Sequence, residues 1–261
     1  MKQIKIAGPQ GELGVNEAGR AGGLPLLFLH ADSGRASQWR EVIQTLAEEW
    51  RTVAFDFRGS GNSAPARDGD YSYAGRAGDV AAVVSALALD RPAIVAHSGG
   101  AAVALEYAAE HASGVSGLLL VDPPTDPRAL PQHVRDGFVR DLAGPRSLQV
   151  QQEYYRTIAG ENPTTRARVV ADCESVAAAA RVGFGRALAT WNPERALSAW
   201  HGPALVLVSP PNDNEHALHR LRPDIPHQVI AGAGHWLQID QPALVAQAIR
   251  AFVSSLERGA Q

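Results

Sequence analysis

The chain has 261 residues, of which 45% are hydrophobic and 20% are charged, and its formal net charge is -3. A chain of this size and apolar content can bury the core of one α/β domain together with a modest insertion. The slightly negative charge provides no basic field for phosphate backbones or anionic lipids, so we expect neither a nucleic-acid partner nor a membrane partner.

The predicted elements begin close to the N-terminus. Residues 1–8 lack the apolar stretch of a secretion signal, and no apolar run approaches the roughly 18 residues of a membrane helix, so we expect a cytoplasmic protein. Short apolar runs then alternate with runs of helical period, which is typical of a mostly parallel sheet with helices on both faces. The predicted strands are residues 3–7, 13–17, 25–29, 51–55, 93–96, 117–121, 203–208 and 228–231, and the predicted helices are residues 37–49, 73–89 and 99–111.

This alternation is interrupted between about residue 122 and residue 200, where the pattern is helical and offers no strand candidate. We therefore predict a core formed by residues 1–123 and 201–261, with a helical insertion at residues 124–200. The insertion carries six aromatic residues, of which we expect about a third to line a pocket and the others to pack internally: Phe138, Tyr154, Tyr155, Phe184, Trp191 and Trp200.

The turn after the strand at residues 93–96 carries the strongest functional signal. The sequence AHSGG, from Ala96 to Gly100, sets a serine among very small residues between an apolar strand and a helix. Such a turn holds the Ser98 hydroxyl at the carboxyl end of a sheet, as in the nucleophile elbow Gly-x-Ser-x-Gly. Ala96 replaces the first glycine, and a single methyl group is tolerable there. The alternative interpretation is an ordinary glycine-rich turn of an α/β protein.

Two further segments favour a nucleophilic serine. Residues 26–32 predict a buried strand that ends in a polar loop, where such folds keep a backbone donor for an oxyanion. His235 lies in the glycine-rich sequence AGAGHW, directly after an apolar strand. The order along the chain, Ser98, then an acid, then His235, is the order of nucleophile, acid and general base in hydrolytic triads of α/β folds.

With these segments the chain resembles the α/β-hydrolase family, in its esterase-like branch, over nearly its whole length. The matching sequences are LH at Leu29, DFRGSGNS from Asp56 to Ser63, HSGG from His97, LLVD ending at Asp122, and GHW from Gly234. Ala31, Ala96 and Ser209 stand where the family commonly has glycine. The resemblance implies the α/β-hydrolase fold, in which residues 124–200 form a helical cap above the serine. It also implies an oxyanion hole made by the backbone N–H groups of Asp32 and Gly99, and we expect the Asp32 side chain to turn away toward the Ser33-Gly34 backbone.

The acid of the triad is ambiguous in this sequence. Alignment of the strand at residues 203–208 on the family pattern puts the expected aspartate at Asn212, one residue short of Asp213. Pro210 and Pro211 can reshape this loop, so we predict Asp213 as the acid. Asp122 is the alternative, because some members of the fold carry the acid at the end of the preceding strand.

The residues favour a serine hydrolase that cleaves a small ester or lactone through an acyl-enzyme intermediate. A serine at the elbow argues against the dehalogenases and epoxide hydrolases of the family, which use aspartate there. Three alternatives stay open: a cofactor-free perhydrolase, a carbon–carbon bond hydrolase, and a ligand-binding protein without turnover. We expect neither a metal nor a cofactor, since the histidines near Asp213 read as the start of a helix and no nucleotide fingerprint is present. The oligomeric state stays open.

Overall fold

The computed structural model describes residues 1–20 and 22–259. Eight strands lie within these ranges: β1 (Lys2–Ala7), β2 (Glu12–Ala18), β3 (Leu26–Leu29), β4 (Thr52–Phe55), β5 (Ala93–His97), β6 (Gly117–Val121), β7 (Ala204–Val208) and β8 (His227–Val229). The α-helices of the same ranges are α1 (Arg40–Leu46), α2 (Tyr73–Ala86), α3 (Gly99–Glu110), α4 (Gln132–Leu142), α5 (Ser147–Ile158), α6 (Pro163–Asp172), α7 (Ala178–Thr190), α8 (Pro193–Ala199), α9 (Leu218–Leu221), α10 (Leu237–Asp240) and α11 (Pro242–Gly259).

The strands form one sheet in the order β1-β2-β4-β3-β5-β6-β7-β8. Pairing is antiparallel from β1 to β2 and from β2 to β4, and parallel across the rest of the sheet. The predicted fold class, a mostly parallel sheet with helices on both faces, is therefore confirmed. Because parallel strands end at the same edge, the loops after β3, β5, β6 and β7 meet there, and ligands bind at this edge in open α/β sheets.

The central strands are apolar throughout because both of their faces are covered. Every residue of β3, β5 and β6 is buried, and two apolar clusters pack on opposite sides of the sheet. This double burial explains why these strands appear in the sequence as continuous apolar runs. The observed strands begin and end within two residues of the predicted bounds. The predicted helix at residues 37–49 is shorter than expected, as a 3₁₀ turn at Ala36–Trp39 leads into α1.

Helices α4 to α8 lie between β6 and β7, where the sequence predicts the insertion, and are called here the inserted helices. Two of them, α6 and α8, begin with Pro at the first helical position after an Asn N-cap, whereas α4 begins at Gln132 after Pro131. A proline at N1 already has the φ that a helix needs, and the Asn side chain at the N-cap accepts a hydrogen bond from the first turn. Within the described ranges, no helix combines the length and the apolarity needed to cross a bilayer.

The DFRGSGNS segment ties the loop after β4 to its neighbours. The Asp56 carboxylate accepts hydrogen bonds from the backbone N–H of Ala36 at 2.7 Å and of Asn62 at 2.8 Å. Gly61 has a φ of 51°, and a methyl group there would lie 2.3 Å from Oδ2 of Asp56, so glycine is required. Arg58 forms a buried two-pronged ion pair with Asp79 at 2.7 and 2.8 Å. The segment is therefore a structural support for the neighbouring loops.

Candidate active site

Ser98 lies in the turn between β5 and α3, at the carboxyl edge of the sheet. Its φ of 51° and ψ of -124° are unusual for a residue other than glycine, and they are the backbone geometry of a sharp nucleophile turn. Gly100 lets α3 approach β3 closely, because a methyl group there would lie 2.5 Å from the carbonyl oxygen of His30. Ala96 is completely buried, so its methyl group is accommodated at the position where glycine is usual.

His235 connects Ser98 to Asp122. Its Nε2 lies 2.9 Å from Oγ of Ser98, and its Nδ1 lies 2.6 Å from Oδ2 of Asp122. When Nδ1–H donates to the carboxylate, Nε2 carries the lone pair that accepts the Ser98 O–H. The structure therefore brings a hydroxyl, an imidazole and a carboxylate into one hydrogen-bonded series.

Asp122 is the carboxylate of this series, and it lies directly after β6 with its side chain fully buried. Four groups donate to it. They are Nδ1–H of His235, the backbone N–H of Ser209 at 2.6 Å, the hydroxyl of Ser209 at 3.0 Å and Nδ2 of Asn212 at 2.8 Å. These donors replace the water that a buried carboxylate loses, and they fix the direction in which it faces His235.

The predicted contact between Asp213 and His235 is not made. Oδ1 of Asp213 instead accepts from Nε2 of His219 at 2.9 Å and from Nη2 of Arg220 at 3.0 Å. A 3₁₀ turn at Pro210–Asn212 brings the Asn212 amide to Asp122 and carries Asp213 beyond it toward α9. The expectation that Asp213 completes the series is thus corrected, and Asp122, the alternative, has that position.

His97 supports His235 through a hydrogen bond to its backbone. Its Nε2–H donates to the backbone carbonyl of His235 at 2.8 Å, while its Nδ1 accepts from Nε2 of Gln238 at 3.1 Å. Burial, together with the neighbouring His235 ring, holds the pKa of His97 well below its ordinary value, so His97 stays neutral near pH 7. A neutral ring with one donor and one acceptor matches both contacts and fixes the backbone that carries His235.

The loop after β3 brings Asp32 against the turn that carries Ser98. His30 holds this loop, since its Nδ1–H donates to the carbonyl of Ala31 at 2.7 Å and its Nε2 accepts from the N–H of Phe57 at 2.9 Å. Burial lowers the pKa of His30, in keeping with a neutral ring. Among the described residues, neither the N–H of Asp32 nor that of Gly99 donates to another group. These two N–H groups are thus available to a ligand.

The Asp32 side chain does not follow the sequence expectation. Its carboxylate accepts from Nη1 of Arg76 at 2.6 Å and from the Tyr73 hydroxyl at 3.0 Å, and not from the Ser33-Gly34 backbone. Arg76 is completely buried, with its guanidinium carbon 4.3 Å from the centroid of the Phe184 ring and 4.9 Å from that of Tyr73. An ion pair and a hydrogen bond outcompete the local turn bonds because the backbone N–H groups of the turn are weaker donors than a guanidinium.

A cavity of about 780 Å³ adjoins Ser98 and His235. Most of its wall comes from apolar residues of the inserted helices and of the loops beside them, namely Leu130, Val134, Phe138, Tyr154, Tyr155, Ile158, Phe184 and Leu188. Four of the six aromatic residues noted in the sequence therefore contribute, which is more than the expected third. Trp191 and Trp200 belong to the main apolar core, where the Trp191 ring packs 5.7 Å from the Tyr73 ring.

The cavity offers little positive charge. Arg135 is its cationic lining residue within the described ranges, and it donates to the carbonyl groups of Leu130 and Ala189. Acidic residues line the same cavity: Asp32, Asp122, Glu161 and Asp240. An anionic group entering the cavity would meet carboxylates and an arginine that is already engaged.

One group of side chains has the chemistry of metal ligands. Asp213, His219 and His227 offer three ligand atoms that lie within 4.8 Å of one another. The guanidinium of Arg220 shares the same Asp213 oxygen as His219, and it already balances the charge of this carboxylate. We assign this group no catalytic role.

Sequence reasoning missed several residues of this region. Asn212 and Ser209 support Asp122, and Arg76 and Tyr73 hold Asp32. For Asn212 and Ser209, the sequence does carry a signal: an amide, Asn212, stands at the position where the family pattern puts the acid, which indicates a partner for a carboxylate supplied by another strand. No signal reveals the second pair, because Arg76 lies in an otherwise ordinary stretch of α2 and its partner is 44 positions away.

Comparison with known proteins gives a consistent assignment of the architecture. Residues 25–242 match the family described as the alpha/beta hydrolase fold. The chain is 29% identical over 234 residues to N-formylmaleamate deformylase from Pseudomonas putida, with 84% of each protein covered. Among solved structures, it resembles a thermophilic esterase from Thermogutta terrifontis at 23% identity and a TM-score of 0.84, covering 98% of this chain and 99% of that one. It also resembles an esterase from Exiguobacterium antarcticum at 20% identity and a TM-score of 0.86, covering 97% and 100%.

Proposed function

Because the chain belongs to the alpha/beta hydrolase fold family, we propose that it is a serine hydrolase that cleaves a small carboxylic ester or lactone through an acyl-enzyme. The observation that carries the proposal is the hydrogen-bonded series from Asp122 through His235 to Ser98, beside a cavity of about 780 Å³. A hydroxyl on a strained turn, a base at 2.9 Å and a buried carboxylate are the parts that covalent acyl transfer needs.

In the acylation step, Oγ of Ser98 bonds to the acyl carbon while its proton passes to Nε2 of His235. Asp122 stabilises the resulting imidazolium by accepting the hydrogen bond from Nδ1–H, and it fixes the orientation of the ring toward Ser98. The backbone N–H groups of Asp32 and Gly99 would donate to the oxyanion, and each such donor is typically worth about 3 kcal/mol. These N–H groups have no acceptor among the described residues, which supports this role.

The acyl-enzyme then forms and is hydrolysed by the same residues. The tetrahedral intermediate collapses, the bond to the leaving alcohol breaks, and His235 gives its proton to the alcohol oxygen. Water next attacks the acyl carbon and passes a proton to His235. Release of the carboxylic acid returns this proton to Oγ of Ser98, so no external oxidant or cofactor is required.

The composition of the cavity supports a neutral, partly apolar substrate. Apolar side chains of the inserted helices form most of the wall, and Arg135 is engaged by carbonyl groups. A carboxylate-bearing acyl chain would therefore lack a free partner and would face acidic residues. We propose uncharged esters or lactones that fill this volume.

The inserted helices would act as the cap that sets which substrates fit. Tyr155 lines the cavity, whereas Trp191 packs in the main core, so the two residues form a matched pair. We expect Tyr155→Leu to change the activity ratio between long and short acyl chains. Trp191→Leu should lower thermal stability and change this ratio by less than about twofold. If the long-to-short activity ratio is the same in both variants and in the wild type, Tyr155 contributes to packing and does not select substrates.

The decisive experiment combines labelling with turnover. A fluorophosphonate probe should label one site in the wild type, and 4-nitrophenyl acetate and butyrate should be hydrolysed. Ser98→Ala should abolish both signals while the thermal unfolding temperature stays close to that of the wild type. Labelling that persists in Ser98→Ala would contradict the proposal. A folded wild type with neither labelling nor turnover would favour the ligand-binding interpretation.

A second candidate is hydrolysis of an acyl bond to nitrogen. It is favoured by the 29% identity to a deformylase across 84% of both proteins. The same residues could serve, with His235 protonating a departing nitrogen. A comparison of 4-nitrophenyl acetate with 4-nitroformanilide separates the two reactions. A larger kcat/KM for the formanilide, lost in Ser98→Ala, would favour the deformylase-like activity over the esterase activity.

A further inference from the structure

An acidic side chain lies beside the N–H groups that would form the oxyanion hole. Asp32 lines the same cavity as Ser98, and 18% of its side chain is exposed. A methyl group on Gly99 would lie 2.3 Å from Cγ of Asp32, so the carboxylate rests against the residue that follows the nucleophile. A carboxylate is an unfavourable neighbour for a developing oxyanion, because like charges in a partly desolvated site repel. Its presence therefore requires an explanation.

The fold holds Asp32 there with a buried cation. Nη1 of Arg76 lies 2.6 Å from Oδ1 of Asp32, and the Tyr73 hydroxyl donates to Oδ2 at 3.0 Å. The Arg76 side chain is completely buried, and its guanidinium carbon lies 4.3 Å from the Phe184 ring and 5.3 Å from the Phe57 ring. Burying a guanidinium costs free energy, which the partner carboxylate and the aromatic faces offset. The pair thus places Asp32 in the cavity wall and Arg76 in the protein behind it, and it keeps the local net charge near zero.

Asp32 retains acceptor capacity after these contacts. An ionised carboxylate offers about four lone-pair positions, and Arg76 and Tyr73 each use one. The exposed part of the side chain adjoins the cavity. Since the oxyanion is the former carbonyl oxygen of the acyl group, a side chain beside the oxyanion hole lies next to the acyl part of the substrate, while His235 protonates the leaving group.

We propose that Asp32 forms a subsite that accepts a hydrogen bond from an O–H or N–H group on the acyl part of the substrate, next to the carbonyl. The proposal rests on the proposed function, and it narrows the substrate class to acyl groups such as 2-hydroxyacyl or 2-amidoacyl groups. Asp32 is then a specificity-determining residue, while Arg76 and Tyr73 are positioning residues that aim its carboxylate. When the O–H or N–H group of the substrate donates to the Asp32 carboxylate, this hydrogen bond offsets part of the repulsion between the carboxylate and the oxyanion.

The test compares methyl glycolate with methyl propanoate, which differ by a hydroxyl in place of a methyl group next to the carbonyl. The intrinsic reactivity of each ester cancels when the ratio of kcat/KM values is compared between proteins. We expect Asp32→Asn to lower the glycolate-to-propanoate ratio roughly tenfold or more, as hydrogen bonds to charged groups are the strong ones. Tyr73→Phe, which keeps the carboxylate, should retain most of the preference. An unchanged ratio in Asp32→Asn would overturn the subsite.

A second measurement does not depend on the variant folding. In the wild type, the glycolate-to-propanoate ratio should exceed the ratio for hydroxide-catalysed hydrolysis of the same two esters by roughly tenfold. A wild-type ratio equal to the hydroxide ratio would overturn the subsite while leaving the esterase activity intact. Absence of turnover for all esters, with no fluorophosphonate labelling of Ser98, would overturn the proposed function and the subsite together.

Discussion

Asp122 and Asp213 follow neighbouring parallel strands, yet they occupy opposite environments. Asp122 directly follows β6, is completely buried and accepts hydrogen bonds from His235, Ser209 and Asn212. Asp213 lies beyond a 3₁₀ turn after β7, keeps 25% of its side chain exposed, and pairs with His219 and Arg220. One carboxylate is stabilised by neutral donors in the interior, and the other is stabilised by a cation near the surface.

The difference shows that the loop, and not the strand, decides which acid reaches His235. β6 and β7 end side by side, because Val121 pairs with Leu207 and the N–H of Asp122 donates to the carbonyl of Leu207 at 2.7 Å. Either strand end is therefore close enough to supply the acid. Asn212 occupies the position next to Asp122 on the β7 side, and its amide complements a carboxylate that is already present. A second carboxylate there would repel the first.

The largest expected effect distinguishes the two acids directly. Asp122→Asn should lower kcat by about 10⁴ with little change in KM, because the amide cannot stabilise the imidazolium and favours the wrong tautomer. Asp213→Asn should stay within about twofold of the wild type, since its partners are His219 and Arg220. Steady-state kinetics on an activated ester, with circular dichroism as a check of folding, measures both. A larger loss of kcat in Asp213→Asn than in Asp122→Asn would identify Asp213 as the acid that pairs with His235.

Much of this arrangement could be predicted from the sequence, because local rules govern it. The apolar runs of β3, β5 and β6 and the small residues around Ser98 specify a parallel sheet and a sharp turn. The choice between Asp122 and Asp213 could not be predicted, since it depends on how a loop with two prolines bends. The Arg76 contact with Asp32 spans two elements, and no periodicity reports such a contact.

An exchange of side chains sharpens the comparison and has the next largest effect. The double variant Asp122→Asn with Asn212→Asp keeps one carboxylate and one amide in contact but moves the charge to the β7 side. We expect it to regain roughly tenfold or more of the kcat lost in Asp122→Asn, because the strand ends are adjacent. The single variant Asn212→Asp is the control, and it should lose activity as two carboxylates then share the site. A double variant no better than Asp122→Asn would mean that only the β6 side can reach Nδ1.

Removal of one supporting donor should have an intermediate effect. Asn212→Ala deletes the 2.8 Å hydrogen bond to Oδ2 of Asp122 and leaves the two Ser209 donors in place. We expect kcat to fall about tenfold, which corresponds to the loss of about 1.4 kcal/mol from one hydrogen bond to a charged group. Ser209→Ala, which removes the hydroxyl donor but keeps the backbone donor, should cause a similar loss. If both variants match the wild type, Asp122 is oriented by His235 and the backbone alone.

The smallest effect concerns the stability contributed by Asp213. The hydrogen bond from His219, together with Arg220, holds the pKa of Asp213 below its ordinary value. A carboxyl group with a lowered folded-state pKa stabilises the protein above its unfolded pKa of about 3.9, and this contribution is lost as the pH falls through the folded value. Asp213→Asn should therefore lower the urea midpoint slightly at pH 7, and the difference from the wild type should shrink below about pH 4.

Salt provides the control for this last comparison, because Arg220 is half exposed and its attraction to Asp213 is screened by ions. The difference between the two proteins at pH 7 should decrease in 1 M NaCl, where the Debye length is about 3 Å. The part that survives high salt reports the hydrogen bond from His219, whose ring is buried and whose pKa burial lowers, so it is neutral at that pH. A difference that is large at pH 7 and independent of both salt and acid would show that Asp213 has a structural role beyond its charge.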